Sequence, residues 1–217
     1  KLAEWPEAER EIVPYIADQF TVERVHRAII SGSGRSWTRQ RDALLLSLMA
    51  LTGSRPGDVR HLRLCEVRYK KQELWLRKTK TKRARSVPLY QPLADEIRAW
   101  VSAARLAPDA YLLTGTAVEP MSFSGWERWR DRAHKPARDH VARTLEDPDL
   151  ASARAYDLCR HSYAALQLAA LMPLPDLARI MGHSVAVLSS TYAGELRRQD
   201  RSQAVDPQAE VVRARER

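Results

Sequence analysis

Apolar residues recur at helical spacing along most of the chain. Residues 37–51 are apolar on nearly every side of a helix, which is typical of a helix buried on all faces. Residues 92–104 and 122–140 instead place their apolar side chains on one face, and the tryptophans of the second segment are expected in the core. Thr21 is positioned to cap a further helix that ends at the sequence SGSG. These segments predict a mainly helical domain.

Three shorter segments alternate apolar and polar residues instead of following the helical period. They cover residues 64–69, 73–78 and 84–89, and the polar sequence KKQ between the first two is typical of a turn. Such alternation predicts half-buried strands, and short connections between strands favour antiparallel pairing. The predicted fold class is therefore mainly α with a small three-stranded antiparallel sheet, an α+β domain.

The last part of the predicted domain contains three short helices. Residues 141–155 are interpreted as a loop, after which Arg160 opens the first of these helices. Gly182 is placed to end the second helix, because a helix C-terminus favours a residue that tolerates positive φ. His183 then falls at the corner before the third helix, and Tyr192 lies close to the end of that helix.

Arginine, histidine and tyrosine form a set suited to attack on a phosphodiester. Arginine offers a planar fork for phosphate oxygens, histidine offers a further donor, and the phenolic oxygen of tyrosine is a nucleophile. Arg160 lies 23 residues before His183, and His183 lies nine residues before Tyr192. With the sequences RHSYA, LARIMGHS and the final TY, this spacing resembles the C-terminal signature of the tyrosine recombinase (phage integrase) family.

The resemblance implies a complete catalytic set of Arg55, Lys80, Arg160, His183 and Tyr192. The first arginine ends a Thr-Gly-x-Arg sequence, and the lysine lies in the loop before the strand that ends in Val-Pro-Leu. By the same resemblance, Tyr192 would attack a DNA phosphorus to form a 3′-phosphotyrosyl bond, and Lys80 would protonate the leaving 5′-oxygen. Because bond energy is kept in such a transesterification, no nucleotide cofactor and no metal are expected.

One position departs from the family pattern. The family usually has histidine three residues before the second arginine, and Asp157 stands there in this chain. A phenol with an ordinary pKa of ~10 needs a group to take its proton, so the identity of the general base is open. Asp157 and His161 are both candidates for that base. The preferred interpretation is that Asp157 only caps the helix that starts near Arg160.

Two other functions are compatible with the same residues. A type IB topoisomerase uses a similar catalytic set but rejoins the strand that it cut. A DNA-binding or regulatory protein descended from recombinases would have lost catalysis, and the presence of Arg55, Arg160, His183 and Tyr192 argues against that alternative. Trapping of a covalent DNA adduct separates an active enzyme from an inactive relative.

The charge balance favours a polyanionic partner. The chain has 36 Lys and Arg against 27 Asp and Glu, a net charge of +9, and its sequence pI is about 9.9. With the family resemblance, the expected partner is double-stranded DNA, on which the protein would self-associate as a dimer or tetramer. The predicted contacts to the DNA backbone are Lys78, Lys82, Arg83, Arg85, Arg128, Arg132 and Lys135.

The chain divides into three predicted parts. Residues 1–20 mix prolines with charges and are interpreted as an arm or linker from an upstream region. Residues 21–194 form the catalytic domain. Residues 195–217 are a charged tail that, by analogy with the family, is expected to dock on a neighbouring protomer.

Composition also argues against several other classes of protein. Cys65 and Cys159 lie 94 residues apart, too few for a disulfide framework, which is typical of a cytoplasmic (nucleoid) protein. The longest apolar run, residues 43–51, is too short to span a bilayer. His134 and His140 have no third ligand nearby in sequence and are interpreted as ordinary surface residues.

Overall fold

The computed structural model of the chain describes residues 15–77, 84–194 and 196. This part of the chain contains ten α-helices and a three-stranded antiparallel sheet, which confirms the predicted fold class. Two π-helical turns, Arg130–His134 between α5 and α6 and Asp157–His161 before α8, interrupt the α-helical pattern. The helices are α1 Gln19–Ser31, α2 Ser36–Ala50, α3 Pro56–Val59, α4 Gln91–Ala104, α5 Phe123–Trp129, α6 Lys135–Leu145, α7 Pro148–Ser152, α8 Ser162–Ala169, α9 Leu174–Met181 and α10 Val185–Thr191.

Helix α2 is the centre of the core. Its leucines Leu44, Leu45 and Leu46 are fully buried, as the apolar sequence on all of its faces predicts. It packs against α1, α4 and the π-helical turn that precedes α8. Trp129 is also buried, and its indole Nε1 donates a hydrogen bond to the Asp42 carbonyl over 2.9 Å. The expectation that the tryptophans of this region belong to the core is therefore confirmed for Trp129.

The sheet consists of β1 Val67–Arg68, β2 Glu73–Leu76 and β3 Arg85–Pro88, in that order. Both pairs of neighbours are antiparallel, and Leu74 faces Val87 across β2 and β3. Strand β3 also contacts α9, so the sheet is joined directly to the helices that follow it. Strand β1 is shorter than the alternating segment 64–69, because turns of 3₁₀ helix flank it on both sides.

The segment 141–155, interpreted from sequence as a loop, is mostly helical. Helix α6 continues to Leu145 because Val141 and Ala142 extend its buried face. Helix α7 then begins at Pro148, and the Asp147 side chain caps it by accepting a hydrogen bond from the Leu150 amide over 2.9 Å. The sequence Asp-Pro therefore starts a helix here instead of marking a loop.

Residues 15–20 pack against the domain, although the sequence assigned them to an arm. The Tyr15 hydroxyl donates to Asp147 Oδ2 over 2.7 Å, and the amide of Ala17 donates to Ser162 Oγ over 2.8 Å. Helix α1 begins at Gln19 with Asp18 as its cap, and not at the predicted cap Thr21. The rest of the predicted arm, up to residue 14, and the predicted tail from residue 197 lie outside the described residues.

His134 does not lie on the surface, so this interpretation from sequence is wrong. It is 1% exposed, and its ring packs on Trp129 with the ring centroids 5.3 Å apart. Its burial follows from the apolar face that runs through the π-helical turn at the end of α5. Burial lowers the pKa of His134 to about 3, so the ring is neutral at neutral pH. His140, by contrast, is exposed.

The cysteines do not pair. Cys65 is exposed, Cys159 is buried, and both are free thiols. Burial raises the pKa of the Cys159 thiol. In the part of the chain that the structure describes, no helix has the length and apolarity needed to cross a membrane.

Candidate active site

Arg55 projects from the tight turn between α2 and α3. Gly53 has φ +61° in this turn, and a Cβ atom there would lie 2.4 Å from the ring of Tyr163, so the turn requires glycine at this position. Pro56 then occupies the first turn of α3. Asp58 completes the start of the helix, because its carboxylate accepts a hydrogen bond from the Arg55 amide over 3.4 Å.

His183 lies at a second tight turn, between α9 and α10. Gly182 ends α9 with φ +65°, and the His183 amide donates to the carbonyl of Ala178 over 2.9 Å. Ser184 caps α10 by accepting a hydrogen bond from the Val187 amide over 3.2 Å. The glycine end, the corner histidine and the serine cap agree with the elements predicted from the sequence.

Arg160 joins these two turns. Its side chain is 1% exposed and donates hydrogen bonds to the carbonyl of Gly53 and, over 2.7 Å, to the carbonyl of Met181. Burial lowers the pKa of Arg160 to about 10, which leaves its guanidinium charged at neutral pH. A single buried cation therefore fixes the turn that carries Arg55 relative to the turn that carries His183.

Arg55 and His183 meet over the carbonyl of Gly182. The Nη2 atom of Arg55 lies 3.3 Å from this carbonyl oxygen and 3.4 Å from His183 Nε2. Burial, together with the charges of Arg160 and Arg55, lowers the pKa of His183 to about 4. The imidazole is therefore neutral at neutral pH, and two guanidinium groups act on the same small region.

Tyr192 follows α10 and is 3% exposed. Its hydroxyl oxygen lies 2.8 Å from Nδ1 of His161, within hydrogen-bonding distance. Burial lowers the pKa of His161, while the carboxylate of Asp157 acts in the opposite direction. Of the two candidate bases from the sequence, His161 is the residue beside the tyrosine hydroxyl.

Asp157 does not cap a helix that starts near Arg160, so the preferred interpretation from sequence is wrong. The helix is already formed at residue 155, which places Asp157 inside it. The Asp157 carboxylate accepts two hydrogen bonds from Arg154, from Nε over 2.8 Å and from Nη2 over 3.0 Å. Its Oδ1 atom lies 3.7 Å from Nε2 of His161.

Arg85 is buried within the domain, which argues against the prediction that it contacts the DNA backbone. It is 8% exposed, and its Nε atom donates to the carbonyl of Ile180 over 2.8 Å. Its Nη2 atom forms an ion pair with Asp58. The alternation along β3 was a signal for this burial, because Arg85 lies two residues before the buried Val87 on the same face.

The other predicted DNA contacts stand as predictions. Arg128, Arg132 and Lys135 are exposed. Arg128 and Arg132 line, together with Arg41, an open cleft of about 520 Å³, and none of the predicted catalytic residues that the structure describes lines it. The remaining predicted basic residues of the loop between β2 and β3 lie outside the described residues; they are Lys78, Lys80, Lys82 and Arg83.

Comparison with known proteins identifies the family. The family model described as the phage integrase family matches residues 19–197, which include all of the predicted catalytic residues. The chain belongs to the phage integrase family. The resemblance found in the arginine, histidine and tyrosine motifs is thereby confirmed for most of the chain.

Two relatives of this phage integrase chain come from Sinorhizobium fredii (strain NBRC 101917 / NGR234). The integrase/recombinase-type protein y4rF is 27% identical over 170 residues, which are 77% of this chain and 38% of y4rF. The similarly named y4gC is 26% identical over 154 residues, which are 70% of this chain and 75% of y4gC. The chain thus spans well under half of the length of y4rF.

Solved structures of recombinases share the fold. The XerA recombinase superposes with a TM-score of 0.64 at 18% identity, over 93% of this chain and 67% of XerA. The XerH site-specific recombinase, in a post-cleavage complex with a palindromic difH substrate, gives a TM-score of 0.64 at 16% identity, over 89% of this chain and 53% of XerH. The Tn1549 transposon integrase in complex with transposon right end DNA gives 0.63 at 14% identity, over 88% of this chain and 66% of that protein. The fold is that of a tyrosine recombinase catalytic domain.

Proposed function

We propose that this chain is the catalytic domain of a site-specific DNA recombinase or integrase that works through a 3′-phosphotyrosyl intermediate. The observation that supports this best is the convergence of Arg55, Arg160 and His183 on the turn at Gly182. Two cations and a neutral imidazole in one place suit the binding of a phosphodiester. Tyr192 completes the set as a nucleophile whose hydroxyl already contacts an imidazole nitrogen.

The chemistry is a transesterification at phosphorus. The Tyr192 oxygen forms a bond to the phosphorus while the bond from phosphorus to the 5′-oxygen breaks, and the phenolic proton leaves at the same time. Arg55 and Arg160 stabilise the negative charge that accumulates on the non-bridging oxygens, and His183 donates a hydrogen bond to one of them. Lys80 supplies a proton to the leaving 5′-oxygen. A 5′-hydroxyl from another strand reverses the step.

The proposed substrate is double-stranded DNA. The net charge of +9 and the exposed residues Arg128, Arg132 and Lys135 support contacts to its backbone. As in the sequence-based expectation, the protein is proposed to assemble on DNA as a dimer or tetramer with the help of its tail. Its expected location is the cytoplasmic nucleoid, where this substrate lies.

The proposal is tested with a pool of nicked duplexes that carry a random central sequence and a label at the 5′ end of the nicked strand. Cleavage next to the nick releases a short fragment, so the covalent intermediate accumulates and is detected on a denaturing gel. The wild-type protein should form a covalent adduct with the labelled strand, and the Tyr192→Phe variant should form none. Tyr90→Phe is the matched control, since Tyr90 is 53% exposed and belongs to no part of the proposed site.

The retained duplexes, once sequenced, provide defined substrates for the alternatives. Exchange of strands between two such duplexes supports a recombinase. Relaxation of a supercoiled plasmid without exchange would instead identify a type IB topoisomerase activity. Absence of any adduct from the wild-type chain, with binding to the pool retained, would contradict the proposal and indicate a relative that only binds DNA.

A further inference from the structure

The region behind the Tyr192 hydroxyl differs from the pattern expected for the family. Asp157 stands where a histidine is usual, and a histidine occurs four residues later as His161. Both residues belong to the π-helical turn Asp157–His161. Such turns are rare in helices and occur frequently at functional sites.

The spacing of Asp157 and His161 explains how His161 can take the place of a histidine at position 157. Residues four apart in a helix lie on the same face, one turn from each other. A side chain at position 161 therefore reaches the region that a side chain at position 157 faces. The observed geometry agrees, because His161 Nε2 lies 3.7 Å from the Asp157 carboxylate while Nδ1 lies 2.8 Å from the Tyr192 hydroxyl oxygen.

We propose that His161 is the general base that takes the phenolic proton of Tyr192, and that Asp157 is a positioning residue for its imidazole. This inference rests on the proposed function. In the step, the bond between the Tyr192 oxygen and its proton breaks, the proton bonds to Nδ1 of His161, and the oxygen lone pair forms the bond to phosphorus. When a 5′-hydroxyl later attacks the phosphotyrosine, the proton returns from Nδ1 to the tyrosine oxygen.

The contacts give each residue a separate task. A neutral imidazole accepts at one nitrogen only when the other nitrogen carries the proton. The Asp157 carboxylate, 3.7 Å from Nε2, favours the proton on Nε2 and so leaves Nδ1 free to accept from Tyr192. Once Nδ1 is protonated, the same carboxylate stabilises the imidazolium. The two hydrogen bonds from Arg154 hold the carboxylate in place.

The surroundings keep His161 neutral before the reaction. The side chains of His161 and Asp157 are only 15% and 9% exposed. Burial lowers the pKa of His161, as do the neighbouring charges of Arg160 and Arg154, and only Asp157 acts in the opposite direction. The ring therefore enters the reaction in its neutral form, which is the state that a base requires.

The kinetic test compares two tyrosines of different acidity. On a duplex selected from the pool, His161→Asn should slow adduct formation by about 10²- to 10⁴-fold, because the amide keeps a polar group near the hydroxyl but takes no proton. Replacement of Tyr192 by a trifluorotyrosine, which is already ionised near neutral pH, should remove most of this loss. A residue that only orients the ring would slow both nucleophiles equally, and that result would overturn the assignment. His140→Asn is the control for a histidine on the surface.

A spectroscopic test measures the protonation of the His161 ring, and its dependence on Asp157, in the absence of DNA. In the full chain labelled with ¹⁵N-histidine, His161 should show a protonated Nε2 and an unprotonated Nδ1, and its signals are assigned by their loss in His161→Asn. Asp157→Asn should weaken this preference, and Arg154→Leu should weaken it less. A proton found on Nδ1 of the wild-type ring would overturn the inference, since that nitrogen would then donate to Tyr192 instead of accepting.

The two tests separate this inference from the proposed function. If His161→Asn forms the adduct at the wild-type rate while Tyr192→Phe forms none, the role of His161 is overturned and the recombinase proposal stands. If the wild-type chain forms no adduct with any duplex of the pool, the proposed function fails, and the inference fails with it.

Discussion

The Nη2 atom of Arg85 lies 2.5 Å from Oδ2 of Asp58, and both side chains are buried. The pair connects β3 to the start of α3, while Nε of Arg85 reaches the carbonyl of Ile180 in α9. The charge of Arg85 also contributes to lowering the pKa of His183, so Arg85 influences the electrostatics of the candidate active site. The pair therefore stabilises the arrangement on which Arg55 and His183 depend.

Loss of this buried ion pair should be costly. Arg85→Ala leaves the Asp58 carboxylate buried without its cation, and we expect the free energy of unfolding to fall by about 3 to 5 kcal/mol. Arg130→Ala is the control, because Arg130 pairs with Asp131 at the surface and such pairs contribute little. Urea denaturation of the two variants measures the difference. Small and equal decreases in the free energy of unfolding of the two variants would show that the buried Asp58 carboxylate does not need Arg85 as its partner.

Gly182→Ala should damage both the fold and the site. The residue has φ +65°, and its Cβ atom would lie 3.0 Å from Nη1 of the buried Arg85, so we expect a cost of at least about 1 to 2 kcal/mol from the backbone alone. Adduct formation should also slow, because Arg55 donates to the Gly182 carbonyl. Gly57→Ala is the control for stability, since a Cβ atom there would meet nothing within 4 Å. Unchanged thermal stability of Gly182→Ala would contradict the expectation.

His134 should make the folded domain sensitive to acid. Its pKa is about 3 in the fold against 6.5 for an ordinary histidine, so the unfolded chain binds a proton that the folded chain does not. The contribution of His134 to stability is fully present above its pKa of 6.5 in the unfolded chain. As the pH falls from 6.5 towards 3, the free energy of unfolding decreases by up to about 1.4 kcal/mol per pH unit. His134→Leu should therefore lose less free energy of unfolding than the wild type between about pH 6 and pH 4. His140→Leu is the control for the loss of an exposed histidine.

The exposed arginines of α5 and the following π-helical turn should contribute to the salt dependence of DNA binding. Each phosphate contact contributes about −0.9 to the slope of log affinity against log salt concentration on duplex DNA. Arg128→Ala and Arg132→Ala should each reduce the steepness of this slope by about one. Arg98→Ala, on the exposed side of α4, serves as the control. A slope unchanged in both variants would remove these two residues from the proposed DNA surface.

The role of Lys80 is tested by the leaving group. A 5′-bridging phosphorothiolate leaves without being protonated, so this substrate should restore cleavage by Lys80→Ala and should not restore cleavage by Arg55→Ala. The yield of covalent adduct is the measurement. Rescue of Lys82→Ala, together with full activity of Lys80→Ala on ordinary DNA, would assign the general acid to Lys82 instead.

The elements set by local sequence were predictable. The apolar faces of α2 and α4 and the alternation around β2 and β3 follow from periodicities within a few residues, and the structure has these elements within one or two residues of the predicted helix ends. The corner at Gly182 and His183 was predictable for the same reason, because a glycine C-cap and a serine N-cap are local signals.

What the sequence did not reveal depends on contacts between distant segments. The sequence predicts Arg85 as a DNA contact because its partner Asp58 lies 27 residues away and belongs to another element. The pairing of Tyr192 with His161 likewise joins residues that lie 31 positions apart in the sequence. The spacing of four residues predicts that Asp157 and His161 lie on the same face of their helix. Only the packing of distant segments shows that His161 is the residue beside the tyrosine hydroxyl.

Tyr192 is 3% exposed, and this has a consequence for the protein when no DNA is present. A group that reacts with phosphorus would also react with small electrophiles, and here it is enclosed at rest. Tetranitromethane should therefore nitrate Tyr192 far more slowly than Tyr90, which is 53% exposed. Under the proposed mechanism, DNA binding has to uncover the Tyr192 oxygen before the first bond is broken, so the enclosure of this hydroxyl would protect it from side reactions until a substrate is bound.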